Sequence, residues 1–326
     1  MILKRPELYH GHSKNGPFFE GWYHKMCSKN GETFVVIPGI YKSGVDGNQT
    51  AFLMFYQGKS GAVDYIPYST NDFQCDPKSY QLKIGNNFFS LEHVVIDFEN
   101  EHVKVKGEIT ANGLNPWPVS LFERGCMGWY GYIPTMECFH GILSMNHNLD
   151  GYIDINGEHI VLNQGNGYIE KDWGKNFPKD WVWAQSNNFN EPGLSISASL
   201  ATIPWKNYEF SGFIVGILYQ DKLYKFTTYN FSKILKIKFE NEALFWVIKK
   251  GVFELEIEIK SGEKSGLLYA PDKVDMIPKV KEYLDGEISF RLKKNNKTML
   301  EKNSKQTAVE ITGKTDRLIN LSLIHI

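Results

Sequence analysis

The chain reads as an almost wholly β protein of two similar-sized lobes, built from antiparallel barrels or sandwiches with few helices. Three observations carry this expectation. Apolar and polar residues alternate with a period of two from end to end, Asn-Gly and Asp-Gly pairs recur between those segments, and convincing helical spacing is nearly absent.

The clearest alternation sets Phe253, Leu255, Ile257 and Ile259 against Glu254, Glu256, Glu258 and Lys260. One face of such a strand is buried and the other is wet. Tyr80, Leu82 and Ile84 repeat the pattern, as do Val103, Val105 and Ile109, while Phe34 to Ile37 and Phe52 to Tyr56 are short apolar runs of buried-strand length. Asn30-Gly31, Asp46-Gly47, Asn112-Gly113, Asp150-Gly151, Asn156-Gly157 and Asp285-Gly286 are read as tight turns, because these pairs adopt the positive φ angles a hairpin needs. The most specific is Asn156-Gly157, between Tyr152–Ile155 and His159–Leu162. Helical spacing is expected only around Val274, Ile277, Val280 and Leu284, where Pro278 interrupts it.

At 326 residues the chain exceeds what a single core usually serves. The Gly-rich stretch Asn163-Gln164-Gly165-Asn166-Gly167 is the expected boundary, giving lobes over residues 1–165 and 166–326. Phe19-Glu20-Gly21-Trp22-Tyr23 is echoed weakly by Ile169-Glu170-Lys171-Asp172-Trp173, as though each lobe opened alike.

Composition narrows the function. With 36 Lys+Arg against 37 Asp+Glu there is no positive surplus to draw the chain onto phosphate backbones, so nucleic acid is not an expected partner. The 14% aromatic content favours strands, cores and apolar pockets. Cys27, Cys75, Cys126 and Cys138 are widely spaced and read as reduced core thiols, with neither a disulfide framework nor a zinc site. Met1 to His12 has no secretory pattern and no stretch approaches the length of a membrane span, so a cytoplasmic protein, at most peripheral to a membrane, is expected. No phosphate-cradling glycine loop precedes a helix, and no nucleotide cofactor is expected. His10-x-His12 lacks a third ligand at useful spacing and reads as a surface loop; no metal is expected. His140 and His147 stand isolated, and Cys126 or Cys138 would pair with His140 only if the fold brought them together.

Two segments place acids among large rings. In Phe18 to Lys25, alternation puts Glu20, Trp22 and His24 on one strand face and Phe19, Tyr23 and the Lys25 stem on the other. In Gly167 to Phe189, Trp181 and Trp183 share a face with Gln185 and Asn187, an expensive core because buried amides need partners. The plain alternative is that the rings close two barrels and the acids pair with Lys25, Lys171 or Lys175.

At these residues the chain resembles the tocopherol cyclase family. The resemblance lies in Phe19-Glu20-Gly21-Trp22-Tyr23-x-Lys25 and in Glu170-Lys171-x-Trp173-Gly174, followed by Phe177-Pro178-x-x-Trp181-x-Trp183-x-Gln185-x-Asn187-x-Phe189. Weaker likeness extends through Ala270-Pro271 and Ala308-Val309-Glu310. The family is similar to carotenoid hydratases, which implies a pair of lipocalin-like β-barrels. It further implies a cofactor-free reaction: a proton adds to a prenyl double bond, and a phenol oxygen attacks the tertiary cation.

On that resemblance Asp172 is the first choice of acid, with Glu20 and Glu170 as alternatives. Trp22, Tyr23, Trp173, Trp181, Trp183, Gln185 and Asn187 are expected to line one apolar cavity for the substrate. The family more usually carries asparagine at the place of Asp172, a departure at the proposed acid itself. Pro116-Trp117-Pro118-Val119 and Gly128-Trp129-Tyr130-Gly131-Tyr132 echo family positions amid divergent strands, which implies a differently shaped pocket. The competing expectation is a lipocalin-like carrier that holds a hydrophobic small molecule without transforming it.

Overall fold

The computed structural model describes residues 5–205 and 207–323. The reading of the chain start therefore lies partly outside the described residues. The first sheet contains β1 (Phe18–Cys27), β2 (Thr33–Lys42), β3 (Gln49–Gln57), β4 (Val63–Tyr68), β5 (Phe73–Cys75), β6 (Gln81–Ile84), β7 (Asn87–Ser90), β8 (His93–Glu99), β9 (Lys104–Asn112), β10 (Cys138–Ile155), β11 (Glu158–Val161) and β12 (Gly165–Gly174). Its order is β4-β3-β2-β1-β12-β10-β9-β8-β7-β6-β5, with β11 paired to β10.

The second sheet contains β13 (Trp181–Ser186), β14 (Ser195–Trp205), β15 (Tyr208–Tyr219), β16 (Lys222–Thr227), β17 (Lys233–Glu240), β18 (Ala243–Lys250), β19 (Phe253–Lys260), β20 (Ser265–Pro271), β21 (Met276–Lys294) and β22 (Lys297–Thr312). It runs β16-β15-β14-β13-β22-β21-β19-β18-β17, with β20 paired to β21. The all-β expectation holds. Pairing is antiparallel wherever registers are defined, and each sheet has its own apolar core, one around Trp22, Phe55, Phe89, Ile153 and Trp173, the other around Leu200, Trp246, Ile257 and Leu292.

The described chain separates into two compact units, residues 5–177 with 267–279 and residues 178–266 with 280–323. The expected boundary at 165/166 falls at the start of β12, a central strand of the first sheet. The echo between the Phe19 and Ile169 segments also takes on a physical meaning. They are direct neighbours, with Glu20 opposite Trp173 and Trp22 opposite Lys171, rather than equivalent openings of two lobes. The corresponding join in the second sheet is β13 with β22, Trp183 opposite Glu310.

The turn signals divide by position. Asn156 and Gly157 both take positive φ (52° and 88°) and join β10 to β11, as the hairpin expectation requires. Asp150-Gly151 and Asp285-Gly286 instead lie inside the long strands β10 and β21. A Cβ on Gly151 would stand 2.1 Å from the Glu108 carbonyl oxygen, and one on Gly286 would stand 2.5 Å from Val309. These glycines permit close approach of a neighbouring strand rather than chain reversal.

The helix expected around Val274 to Leu284 is absent. Residues from Met276 onward form β21, because burial there alternates through Val280, Glu282 and Leu284 with a period of two. The α-helix found is α1 (Thr315–Leu323), whose Leu318 and Ser322 are buried four residues apart. Among the described residues no helix is long and apolar enough to cross a membrane.

Candidate functional site

The register of β1 against β12 decides which side chains meet. Glu20, Trp22 and His24 stand opposite Trp173, Lys171 and Ile169, and all point into the first core. Gly21, Tyr23 and Lys25 stand opposite Asp172, Glu170 and Tyr168 on the other face of the same two strands. Strand alternation thus sends neighbours in sequence to separate sites. Asp172 and Trp173, adjacent in the chain, do not share a face.

The inner face is an ionic knot sealed from solvent. The side chains of Glu20 and Lys171 are both 0% exposed and form a direct ion pair. Lys171 also donates to the carbonyl oxygens of Leu8 and, at 3.0 Å, of Pro6, while the His10 backbone N–H donates to Glu20 Oε2 at 2.9 Å. His10 Nδ1 lies 3.0 Å from both Glu20 Oε1 and Lys171 Nζ. Its ring stacks on Trp173 with 4.4 Å between centroids, and Phe139 stacks on Trp173 as well. The Lys171 ammonium sits 4.4 Å from the centre of the Trp22 ring and 5.0 Å from that of Trp173.

Burial pushes the Glu20 carboxyl up, but Lys171 and His10 more than offset this and hold it below its ordinary range. Burial lowers the Lys171 ammonium, which Glu20 partly restores. Burial and then the Lys171 charge depress His10. The expectation that His10 belongs to a surface loop is therefore corrected. Its side chain is 6% exposed and is fixed by Glu20, Lys171 and Trp173, whereas His12 is exposed. The predicted lysine pairing is realised between Lys171 and Glu20, whose residues meet on the inner face, rather than between Lys171 and Glu170.

Deeper in the same core His24 Nε2 lies 2.7 Å from the Tyr80 hydroxyl, and His147 Nδ1 lies 3.1 Å from Ser144 Oγ. Burial, then the neighbouring His147, lowers His24 to about 3, and burial lowers His147 to about 4. Both imidazoles are neutral at ordinary pH. A water-sized cavity between them, lined also by Val94, Leu149 and Ile169, has no room for an isoprenoid.

The outer face carries the second constellation. His140 on β10 stands directly opposite Asp172 on β12, and its Nδ1 lies 2.9 Å from Asp172 Oδ1. On the other side of the ring, Nε2 lies 3.6 Å from Glu170 Oε2, and the Tyr168 hydroxyl donates to that same oxygen at 2.5 Å. The side chains of His140 and Asp172 remain 15% and 24% exposed, against 6% for Glu170. Solvent can reach the first two. Gly21 opposite Asp172 has no side chain to cover it.

Gly174 closes the strand at φ 152°, and a Cβ there would stand 2.1 Å from the Glu137 carbonyl oxygen. The glycine of the motif lets the chain preceding β10 lie against β12. The segment ahead of β10 is further joined by Trp117 N–H donating to the Ile142 carbonyl at 3.2 Å and by the Cys126 thiol donating to the His140 carbonyl at 3.2 Å.

The fold brings Cys126 to the His140 carbonyl and Cys138 to Asp172, but not as nucleophiles. Cys138 Sγ is 3.9 Å from Asp172 Oδ1, and burial followed by that carboxylate pushes the Cys138 thiol well above its ordinary value. Burial raises Cys126 likewise. A protonated thiol is a poor nucleophile.

The remaining predicted residues belong to the second unit. On β13, Val182 and Ala184 enter the core, which directs Trp181, Trp183 and Gln185 to the opposite face. The Trp181 indole donates to Glu310 Oε2 at 2.6 Å, and Asn187 follows the strand end. The candidates thus fall into three groups: Glu20, Trp22 and Trp173 inside the first core, Tyr23, Glu170 and Asp172 on its other face, and Trp181, Trp183, Gln185 and Asn187 in the second unit. His140 was not among them. No local motif marks it, since its role depends on a pairing across about thirty residues of chain.

Residues 93–313 match the family described as tocopherol cyclase-like. Over 207 residues the chain is 26% identical to a protein of Oryza sativa subsp. japonica described as a probable chloroplastic tocopherol cyclase, covering 60% of this chain and 44% of that one. It therefore spans less than half the length of the rice relative. A chloroplastic tocopherol cyclase of Zea mays is 25% identical over 372 residues, covering 94% of this chain and 77% of the maize protein. Among solved structures, CghA superposes with a TM-score of 0.58 at 8% identity, covering 91% of this chain and 89% of that one, a likeness of fold alone. With the match extending over well more than half its length, the chain belongs to the tocopherol cyclase-like family.

Proposed function

We propose that this protein is an acid-catalysed cyclase of the tocopherol cyclase type, closing a ring on a prenylated phenol or a related apolar isoprenoid. The observation that carries the reading is the Asp172–His140–Glu170 array on the outer face of β12, partly open to solvent at Asp172 and His140. Family membership supports the reaction class, and the array supplies the groups the reaction needs. Glu20, the other motif acid, is fully buried and already neutralised by Lys171, so it serves the fold.

Asp172, the most exposed of the three, presents the proton to the less substituted carbon of a prenyl double bond. A tertiary cation forms, the phenol oxygen attacks it, and the phenolic proton returns to Asp172 directly or through His140. Every atom of the substrate is retained, so the reaction is an isomerisation that consumes no co-reactant. His140, hydrogen-bonded behind Asp172, resupplies its proton, while Glu170, held by Tyr168, faces the far nitrogen of the imidazole at 3.6 Å. Positioned acid–base groups of this kind contribute roughly 10²- to 10⁴-fold. Folding the prenyl chain so that oxygen lies near the incipient cation supplies the larger orientational part.

Trp22 and Trp173 were expected to line the cavity for the substrate. Their ring faces are already turned to Lys171, so this reading assigns them to the ionic knot. Tyr23, opposite Glu170, is an aromatic residue of the first motif on the reacting face, as is Phe19 opposite Gly174. The test is incubation with prenylated quinols and isoprenoids followed by mass-resolved product analysis. Cyclisation gives a new retention time at unchanged mass and hydration adds one water. Recovery of every compound intact, though bound, would reject catalysis in favour of a carrier.

A further inference from the structure

We propose that the exposed face around β17 is a docking surface for an anionic lipid bilayer, with Phe231 as the inserted ring and Lys233, Lys236 and Lys249 as the charges that meet the headgroups. The chain as a whole has a net charge of -1, yet residues 221–250 hold seven lysines against three acids. Positive charge is thus concentrated at one edge of the second sheet.

β17 ends the strand order of that sheet, and its register brings Lys233 directly opposite Lys249 on β18. Like charges so placed repel, and an anionic surface relieves them. A bulge between Ile234 and Lys236 exposes Leu235 and Lys236 side by side while Ile234 and Ile237 stay in the core. An apolar side chain therefore stands in water among the lysines. Lys236 reaches over Phe245, its ammonium 5.4 Å from the ring centre. The acids nearby are drawn to other lysines: Glu240 holds Lys238 at 2.7 Å, and Glu254, across from Lys249, holds Lys293 at 3.2 Å.

Phe231, two residues before β17, is 93% exposed, more than any other large apolar residue described. Its backbone is left-handed (φ 65°, ψ 18°), a conformation that bulky side chains rarely adopt. The turn Thr228–Asn230 holds it there. Asn230 Oδ1 accepts the Thr227 backbone N–H at 3.1 Å and the Ser232 hydroxyl at 2.6 Å, while Asn230 Nδ2 donates to the Lys225 carbonyl at 3.0 Å. Thr228 Oγ1 accepts the Phe213 N–H at 2.7 Å and ties the turn to β15. A fixed turn thus presents a ring that adds no burial to the fold.

A bilayer fits this surface because lysine stems can bury their methylenes beside an inserted ring while the ammonium groups stay with the phosphates. Strand addition by a second copy is opposed by the bulge and by the lysines, both of which blunt a sheet edge. The docking does not depend on the cyclase reading; a carrier would show it equally.

The test is co-sedimentation of the full-length protein with phosphatidylcholine vesicles containing about one third phosphatidylglycerol. Partitioning is expected into these and not into phosphatidylcholine alone, and it should fall steeply at about 0.5 M salt. Phe231→Asn, which suits left-handed backbone, should weaken it at least about ten-fold without lowering the urea midpoint. Lys233→Gln, Lys236→Gln and Lys249→Gln combined should weaken it by about 10²-fold, since each lysine near such a surface is worth about five-fold. No partitioning into anionic vesicles, equal partitioning into neutral ones, or unchanged partitioning of either folded variant overturns the proposal. A wild-type dimer that Phe231→Asn dissolves, without uptake by vesicles, would overturn it in favour of a second copy. Binding to polyglutamate in place of vesicles would overturn it in favour of an acidic protein.

Discussion

The two faces of β12 differ in what their charges are for. Lys171 and Trp173 point inward to a carboxylate with no solvent contact, and Lys171 and Glu20 are both tied to the N-terminal segment. Glu170 and Asp172 point outward to a histidine that remains partly open. Charge alone therefore marks nothing as catalytic. Reachability separates the two constellations, and one residue of register decides which carboxyl is on which side.

The largest way to break the comparison is Lys171→Met. It leaves Glu20 buried and uncompensated, and removal of one partner of such a pair costs about 3 to 5 kcal/mol. A marked drop in the urea midpoint is expected, and Lys171→Met combined with Glu20→Gln should recover most of it. A midpoint unmoved by Lys171→Met would show that the inner knot is not what secures this strand.

Asp172→Asn tests the other face. Turnover should fall by about 10²-fold or more, while the unfolding free energy from urea titration stays within about 0.5 kcal/mol of wild type. Because asparagine is the residue the resemblance leads one to expect there, unchanged turnover would pass the acid to His140. If the two faces are independent, the effects of Asp172→Asn and Glu20→Gln on stability should add.

Acid distinguishes inside from outside more gently. His24 and His147 are neutral in the folded protein, with values of about 3 and about 4, whereas an unfolded histidine titrates near 6.5. Between these limits the unfolded chain binds protons that the folded one does not, so stability falls as pH drops below about 6.5, by up to about 1.4 kcal/mol per unit for each histidine. The contribution is fully present above 6.5 and lost progressively toward pH 3. Urea midpoints measured from pH 7.5 to 4.5 should follow that slope, and His24→Asn should flatten it.

The smallest effect is expected at Cys138. Its thiol is held protonated, so Cys138→Ser should change turnover by less than about two-fold, and iodoacetamide at neutral pH should leave Cys138 unmodified in the folded protein.

The strands were legible because alternation is a local property. Phe253 to Lys260 forms β19 as read, and Asn156-Gly157 forms its hairpin. The Val274 to Leu284 segment misled because Val280 and Leu284, four residues apart, satisfy a period of two as well as a helical face; the exposure of Ile277 and the burial of Glu282 settle it. In the site, the inward set Glu20, Trp22 and His24 was correctly separated from Tyr23 and Lys25. What could not be read was the partner across the ladder: Lys171 opposite Trp22, His140 opposite Asp172. Non-local register follows from packing the whole sheet, and no spacing within one segment encodes it.

The pairing of β1 with β12 has a further consequence for how the protein is made. Cys27 must wait for Asn166, on the order of 140 residues later in synthesis, before its strand acquires a second neighbour. Until then an edge carrying Phe18, Trp22 and Met26 stays open on the ribosome, and Glu20 stands without the lysine that neutralises it. That buried carboxylate makes premature closure with any other strand costly. The carboxylate half of the ion pair that secures the finished sheet thus also disfavours any other strand in the place of β12.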